Sequence, residues 1–534
     1  MIGRWLLYGP PGSGKSEIGA SLALALALPF VDLDEEITRQ AGQSIPDIFR
    51  LEGEANFRQK ERAALERALA LPAGVIALGG GALLDPASRA LAESQGRIIC
   101  LDAPPEMLLA RLKTADGSRP LLAGRSEADT LAWLAGRDAH YQTFPIRLDT
   151  SALTPDQAAW EIQVLLGTFH VSGMGASYDI IVSPGALEAL GSELSQRGLN
   201  PPIGLVSDAI VGRLYAGPVI ADLRRAFGDV HDIRISGGER QKTLETVAAL
   251  WAAFVDARLE RTSTVVALGG GVVTDLAGFA SATFLRGLPW VAVPTTLLGM
   301  VDASLGGKTG ADLPQGKNLV GAFYPPRLVW ADPRLIDSLP DAERRNGMAE
   351  VVKHGVIGDA GLFERCSHGL DALRGDWDSL VRRAMAVKIR VIQVDPYEQG
   401  QRAALNLGHT VGHALEKVTR FAIPHGEAVA IGCVVEARLA VKLGLAQADL
   451  PGRIADTLAG LGLPVRLPQG ISLTTLQAAM SVDKKRSGGK VTFALPVRIG
   501  EVVTGIPIDH LDQFLKEIYE NDSGVARAEY EPVG

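Results

Sequence analysis

Trp5-Leu6-Leu7-Tyr8-Gly9-Pro10-Pro11-Gly12-Ser13-Gly14-Lys15-Ser16 is the stretch whose reading decides the fold of the first part of the chain. Its four large apolar residues read as a short buried strand, and the residues after them complete G-x-x-x-x-G-K-S ahead of a helix. The order matters, because backbone N–H groups of a Gly-rich turn and of a helix N-terminus converge on phosphate. Gly12, Ser13 and Gly14 line the cradle, Lys15 bridges the β and γ phosphates of ATP, and the Ser16 hydroxyl ligates Mg²⁺. A strand feeding a helix through such a turn opens an α/β sheet.

Working outward, Leu22 to Leu28 alternates Leu and Ala, a strand-like period, but both are strong helix formers and the turn must feed a helix. Phe30-Val31-Asp32-Leu33-Asp34 is expected as a strand ending in two carboxylates on one face, one for the Mg²⁺ shell and one for a substrate hydroxyl. Arg58 in E-x-x-F-R, Gly79-Gly80-Gly81 after a strand Val75 to Leu78, Arg119 in S-R-P-L-L and Arg137 in R-x-x-x-Y follow. A single arginine is ordinarily a solvated surface residue. With D-x-D, F-R, G-G-G-A and R-P-L-L in this order and spacing, the segment resembles shikimate kinase along nearly its whole length. The resemblance implies that Asp34, Arg58, Gly79, Gly80, Gly81 and Arg137 hold shikimate, two guanidinium groups gripping its carboxylate. It implies that Arg119, in a lid loop, covers the ATP phosphates and stabilises the moving phosphoryl group. Asp32 would join Ser16 at Mg²⁺, and Asp34 would orient or deprotonate the attacking 3-hydroxyl. Glu17 stands where that family usually has Thr, and is expected to point outward.

Residues 168–177 lack periodicity and are rich in small residues, so they read as a linker. Tyr178–Val182 restarts as a strand. Strands Ile203–Val206, Ile233–Ser236 and Thr264–Leu268 end in Ser207-Asp208, Gly237-Gly238-Glu239 and Gly269-Gly270-Gly271, each followed by a helical stretch. That is a parallel unit with ligand groups at the carboxyl ends of its strands, nucleotide-binding without G-x-G-x-x-G. Ala77–Gly81 and Ala267–Gly271 are identical, but their flanks do not match and no duplication is inferred. Gly307-Lys308-Thr309 is not a second phosphate loop, because the upstream glycine position holds Asp302. Lys308, Lys317 and Asn318 read as donors for an anionic substrate. Beyond Val329 the pattern turns helical.

Arg402 to Glu427 holds three of the nine histidines, His409, His413 and His425. His409 and His413 share one helix face, and the Pro424-His425-Gly426 turn can bring a third imidazole back to them, a metal-site pattern. Thr410 in place of Glu excludes the H-E-x-x-H protease reading. With G-G-G-x-x-x-D, F-x-R-G, P-T-T-L-L, D-x-S-x-G-G-K-T-G, A-E-x-x-K, L-N-x-G-H-T-x-G-H-A-x-E, H-G-E and D-K-K, residues 178 to 520 closely resemble 3-dehydroquinate synthase. The resemblance implies that Glu350, His409 and His425 bind zinc, with cobalt the alternative, and that His413 transfers protons; spacing alone leaves His409 and His413 equivalent. It implies NAD contacts at Asp208, Glu239, Lys242, Gly270, Gly271, Asp275, Thr295, Thr296, Asp302, Lys308 and Lys317. The implied substrate, 3-deoxy-arabino-heptulosonate 7-phosphate, would meet Arg286, Lys308, Asn318, Lys388, Arg402, Asn406, His413, Lys484 and Lys485, with Lys353 and Glu398 completing the catalytic set. Arg286 would come from a second copy, which implies a homodimer through this half. Asp395-Pro396-Tyr397-Glu398 departs from the family's D-E-x-E at Pro396 while keeping Glu398, so a changed loop is expected.

At 534 residues the chain exceeds one core. The expected fold class is α/β: a P-loop kinase domain with helices on both faces of a parallel sheet (1–167), the linker, a Rossmann-like NAD-binding domain (178–328), a mainly helical metal and substrate domain (329–520) and a disordered tail (521–534). A composition 47% hydrophobic and 21% charged fits a globular α/β protein, and a net charge of −8 gives no footprint for nucleic acid. Cys100, Cys366 and Cys433 lack C-x-x-C spacing and suit a reducing cytoplasm. The first residues leave no room for a signal peptide and no apolar run is of membrane length, so a cytosolic protein without membrane partners is expected. The whole reads as a bifunctional enzyme with small-molecule substrates (shikimate, ATP, heptulosonate 7-phosphate) and Mg²⁺, NAD and Zn²⁺ as cofactors. Sedoheptulose 7-phosphate is the alternative cyclase substrate, against which Lys388 and Arg402 argue because they suit a carboxylate. The other alternative is that one half is a degenerate binding module.

Overall fold

Alternation sets the first sheet. In Arg4–Tyr8 (β1), Leu6 and Tyr8 enter one apolar cluster while Trp5 and Leu7 enter the opposite one, as period-two side chains do when both faces are covered. Phe30–Asp32 (β2), Gly74–Ala77 (β3), Arg97–Asp102 (β4) and Arg147–Asp149 (β5) complete a parallel sheet in the order β2-β3-β1-β4-β5. The central strand therefore delivers its carboxyl end to the Gly-rich turn. Gly14 adopts φ +88 ahead of the helix Lys15–Ala25, a backbone that L side chains rarely take. The computed structural model describes residues 3–114, 126–484 and 491–523 and divides at His170 into two compact units. Arg119, Lys485 and residues 524–534 lie outside the described residues.

Thr168–Val171 (β6) straddles that division. In the second unit the strands are Tyr178–Val182 (β7), Asn200–Asp208 (β8), Val230–Ile235 (β9), Ser263–Gly269 (β10), Trp290–Pro294 (β11), Lys308–Leu313 (β12), Gly316–Phe323 (β13) and Leu328–Ala331 (β14). Six of them form a parallel sheet in the order β7-β14-β11-β10-β8-β9. β10 is buried along its whole length, as a central parallel strand should be. β12 and β13 make a separate antiparallel hairpin. The helices Asp341–Gly358, Trp377–Val394, His409–Val418 and His425–Lys442 follow; the last is buried on nearly every face, the signature of a core helix. Thr492–Arg498 (β15) and Glu501–Pro507 (β16) form a second hairpin.

Four expectations need correction. The strand expected through Asp34 ends at Asp32, whose carboxylate accepts from the Asp34 and Glu35 amides and starts the helix Leu33–Ala41; such a cap is worth about 1 kcal/mol. Residues 168–171, expected in a linker, form β6. The sheet does not end at residue 328, because β14 runs to Ala331 and pairs with β7 and β11. Residues 521–523, assigned to a tail, belong to the helix Leu511–Ser523. The three cysteines are buried and free. Among the described residues no helix is long and apolar enough to cross a membrane.

Candidate active sites

In the first unit the expected phosphate and magnesium groups converge. Lys15 Nζ donates to the Gly9 and Pro10 carbonyls at 2.9 Å each, and Ser16 Oγ donates to Asp32 Oδ2 at 2.5 Å. Lys15, Ser16, Asp32, Asp34 and Gly80 line one cavity of about 450 Å³. A larger cavity of about 570 Å³ lies between the helices Pro105–Thr114 and Glu127–Tyr141, but it carries neither Lys15 nor Asp34, so the smaller one is the candidate site. The glycine turn is pressed against the charged groups: a Cβ on Gly79 would stand 2.5 Å from Glu61 Oε1 and 3.3 Å from Asp34 Oδ1, and a Cβ on Gly81 2.9 Å from both terminal nitrogens of Arg58. Close approach, then, is why glycine stands there. The Tyr141 hydroxyl donates to Gly80 O at 2.7 Å, and Arg137 lies over the Trp133 ring at 4.1 Å.

Two residues of this site escaped the sequence reading. Glu61 binds Arg58 at 2.6 Å, one turn along the same helix, and burial raises its pKa while Arg58 works against that shift. Arg111 lines the cavity and donates to Thr150 O at 2.7 Å. The R-x-x-E spacing at 58–61 is the signal that places Glu61 beside Arg58; nothing local marks Arg111.

In the second unit Glu350, His409 and His425 each present a ligand atom within 4.8 Å of the others. Glu350 is fully buried on the helix Asp341–Gly358, and its Oε1 lies 3.6 Å from His409 Nε2 and 3.5 Å from His425 Nε2 with no hydrogen-bond partner among the described residues. Two donors, each about 2.1 Å from a tetrahedral ion, stand about 3.4 Å apart. The set therefore fits a divalent cation, and that fit also explains an otherwise orphaned buried carboxylate oxygen. The far ring nitrogens are held in turn: His409 Nδ1 is 3.1 Å from Leu407 O, and His425 Nδ1 is 3.5 Å from Glu416 Oε2. These contacts turn both Nε2 lone pairs toward the centre. Burial opposes charge on His425, but the facing Glu350 and Glu416 carboxylates outweigh it and raise its pKa to about 10, so a cation held there would have to displace the Nε2 proton.

His413 shares the helix with His409, ring centroids 5.0 Å apart, but groups with Glu416 and His425 instead of completing a three-histidine set with His409. His354, buried and grouped with Asp302 and Glu350, has neither ring nitrogen hydrogen-bonded among the described residues, and burial followed by Lys353 lowers its pKa to about 3.

Basic groups from distant segments surround this centre. Lys353 Nζ lies 2.5 Å from Glu350 Oε2, and Lys388 Nζ lies 2.5 Å from Asp302 Oδ1. Lys242 Nζ bridges Asp275 at 2.5 Å and Asn318 at 2.6 Å, which joins three expected ligand-binding positions. Lys317 lies 3.0 Å from Glu239 and 3.1 Å from Glu416, while Lys308 pairs with Glu398, toward which Asn406 points at 3.5 Å. Arg402 reaches the Gly306 turn, where a Cβ would come within 2.5 Å of its guanidinium. At the carboxyl ends of the inner strands Asp208 caps the turn after β8, and Gly270 and Gly271 start the helix that carries Asp275. A Cβ on Gly270 would lie 3.1 Å from Thr296, and Thr295 Oγ1 is buried without a hydrogen-bond partner among the described residues. Arg286 sits at φ +69 in a turn beside Leu285 at φ +49. The Lys484 side chain is outside the described residues.

Family models match both units: shikimate kinase over residues 11–166, and the N-terminal and C-terminal parts of 3-dehydroquinate synthase over residues 232–346 and 347–486. A 3-dehydroquinate synthase of Synechococcus sp. is 45% identical over 353 residues, covering 64% of this chain and 96% of its own. The chain belongs to the 3-dehydroquinate synthase family. It carries a shikimate kinase domain ahead of the synthase, so a kinase and a lyase of the shikimate pathway share one polypeptide. Among solved structures, the synthase part is similar to 2-epi-5-epi-valiolone synthase from Streptomyces hygroscopicus subsp. jinggangensis with NAD⁺ and Zn²⁺ bound. The identity is 30% and the TM-score 0.60, covering 65% of this chain and 98% of that one. It is also similar to 2-deoxy-scyllo-inosose synthase complexed with carbaglucose-6-phosphate, NAD⁺ and Co²⁺, at 26% identity and a TM-score of 0.61, covering 66% of this chain and all of that one. The synthase family thus shares its scaffold with other sugar-phosphate cyclases.

Proposed function

We propose that the first unit phosphorylates the 3-hydroxyl of shikimate from Mg²⁺·ATP. The second unit converts 3-deoxy-arabino-heptulosonate 7-phosphate to 3-dehydroquinate with release of phosphate. The observation that carries the second reading is the buried Glu350 carboxylate facing the half-buried His409 and His425 rings, with an oxygen–nitrogen spacing that suits a tetrahedral divalent ion. Glu350, His409 and His425 would hold a zinc or cobalt ion, which would supply Lewis acidity to a substrate hydroxyl, and bound NAD⁺ would supply a hydride acceptor regenerated within the cycle.

The chain's own groups do the rest. In the kinase unit the amides of the Gly-rich turn and Lys15 hold the phosphates, Ser16 and Asp32 hold magnesium, and Asp34 orients the hydroxyl and accepts its proton. Arg58 and Arg137 grip the shikimate carboxylate beside the glycine turn. In the synthase unit Lys308, Lys388, Arg402, Asn318 and Asn406 meet a substrate anionic at both ends, and His413, at the open side of the centre, moves a proton between substrate and solvent. Burial lowers the pKa of Lys388, with Asp302 working against it, which leaves its ammonium less firmly protonated than a surface lysine. Asp208, Glu239, Lys242, Asp275 and the Thr295-Thr296 pair line the dinucleotide side. A homodimer in which the Arg286 turn serves the second copy's site completes the proposal.

The test is to assay the full chain for both reactions. Shikimate-dependent ADP formation and NAD-dependent phosphate release from the heptulosonate are expected. Release from sedoheptulose 7-phosphate with none from the carboxylate sugar would reverse the substrate assignment.

A further inference from the structure

Glu436 lies on the helix His425–Lys442, about three turns beyond His425, and is fully buried. One of its carboxyl oxygens accepts from the Gly408 amide at 2.5 Å and the other accepts from the Val411 amide at 3.4 Å. These amides open the helix His409–Val418. Its N-cap is Gly408, at φ +79, which has no side chain to cap with. The first amides of a helix lack partners within it, and here the acceptor comes from another helix, 25 to 28 residues along the chain.

The approach depends on small residues. A Cβ on Gly432 would stand 2.0 Å from Gly408 O, one on Gly408 2.6 Å from Cys433 Sγ, and one on Gly412 3.1 Å from Ala428 O. The two helices therefore touch backbone to backbone, and this contact brings the Glu436 side chain within reach of the amides. Burying a carboxyl group without hydrogen-bond partners is unfavourable; the helix start is what satisfies this one.

The amides held in this way flank His409, and the side chain that holds them shares a helix with His425. We propose that Glu436 is a positioning residue that fixes His409 against His425 and so sets the affinity of the site for a divalent cation. The inference rests on the reading of Glu350, His409 and His425 as the cation ligands. A well-formed site tolerates only about ±0.2 Å in ligand distance, so fraying of the first turn at His409 removes a ligand without touching it. The required property is an acceptor oxygen at that depth.

The experiment uses the full chain, with Zn²⁺ affinity measured by competition against a chromophoric chelator and with kinase activity recorded on the same samples. Glu436→Met, similar in length and without an oxygen, is expected to weaken zinc binding roughly 10- to 100-fold, the range for groups that orient metal ligands, with kinase activity unchanged. Glu436→Gln keeps an acceptor and is expected to stay within about threefold of the parent, with Glu436→Asp between them. Zinc affinity in Glu436→Met within threefold of the parent would overturn the proposal, as would a loss in Glu436→Gln as deep as in Glu436→Met. Should Glu436→Met fail to fold, equal affinities in the parent, Glu436→Gln and Glu436→Asp would overturn it. The control is His409→Ala: if zinc binding survives that change, the ligand assignment itself is wrong. Binding that is lost there and retained in Glu436→Met sinks only the positioning role.

Discussion

The buried ion pair beneath the candidate cation centre offers a sharp energetic test. Lys353 and Glu350 have side chains 1% and 0% exposed, with Nζ 2.5 Å from Oε2. At an effective dielectric near 20 the attraction at that separation is about 7 kcal/mol, and desolvating two ions offsets most of it. Cutting one partner still costs roughly 3–5 kcal/mol, because the other is left charged and buried. Glu350→Gln leaves the Lys353 ammonium with the Leu405 carbonyl at 3.0 Å; Lys353→Met leaves the Glu350 carboxylate with the His409 and His425 rings, 3.6 and 3.5 Å from Oε1. Each variant is expected to destabilise the helix Asp341–Gly358 by about 3–5 kcal/mol, and the double variant by at least about 2 kcal/mol less than the sum. The measurement is native-state hydrogen exchange on the peptide spanning 341–358, in chelator so that no cation contributes, with kinase activity as the control for the other unit. Single variants within about 1 kcal/mol of the parent, or effects additive within about 0.5 kcal/mol, would refute the reasoning.

Other expectations follow from individual contacts. Gly81→Ala places a methyl group against the Arg58 guanidinium, so kcat/KM for shikimate should fall roughly 10- to 100-fold while KM for ATP holds; a change in the ATP constant alone would contradict the contact. Ser16→Ala removes one of the two magnesium groups joined at 2.5 Å, and should lower kinase turnover roughly 100-fold while leaving phosphate release by the synthase half intact. Burial, opposed by the amides it meets, pushes the Glu436 carboxyl up to about 8 from its ordinary 4.5. The folded chain thus holds this proton more tightly than the unfolded chain does. The stabilisation is full below about pH 4.5 and is lost as pH rises to about 8, on the order of 5 kcal/mol. Urea denaturation in chelator should show that loss flattened in Glu436→Gln, and equal pH slopes in the two proteins would contradict it.

Local chemistry was legible in the sequence; contacts made over distance were not. The Gly-rich turn, the i, i+4 histidines and the strands before Gly79 and Gly269 are properties of a few adjacent residues, and each lies where spacing predicts. The choice between His409 and His413 was not legible, because both face one way from one helix; Glu350, from a helix some sixty residues earlier in the chain, groups with His409 and His425. Glu436 reads as an ordinary polar position within an apolar helix, and only the Gly408–Gly432 approach reveals what it meets. The turn at Asp32 was misread because a D-x-D on an apolar run fits a strand end equally well, and only the Asp32 cap shows the helix beginning there. β14 follows a hairpin and precedes helices, so a run of four apolar residues gave no period by which to assign it to the sheet.

The central claim is that one chain carries two chemistries with separable requirements. The most direct measurement strips the purified full chain of metal and assays both reactions before and after zinc is restored, with NAD⁺ present throughout and Mg²⁺ supplied to the kinase assay. Phosphate release from 3-deoxy-arabino-heptulosonate 7-phosphate is expected to vanish on chelation, to return with about one zinc per chain, and to stay absent in His409→Ala, while shikimate phosphorylation is unchanged in all three samples. Phosphate release that survives chelation, or that returns in His409→Ala, would contradict the account.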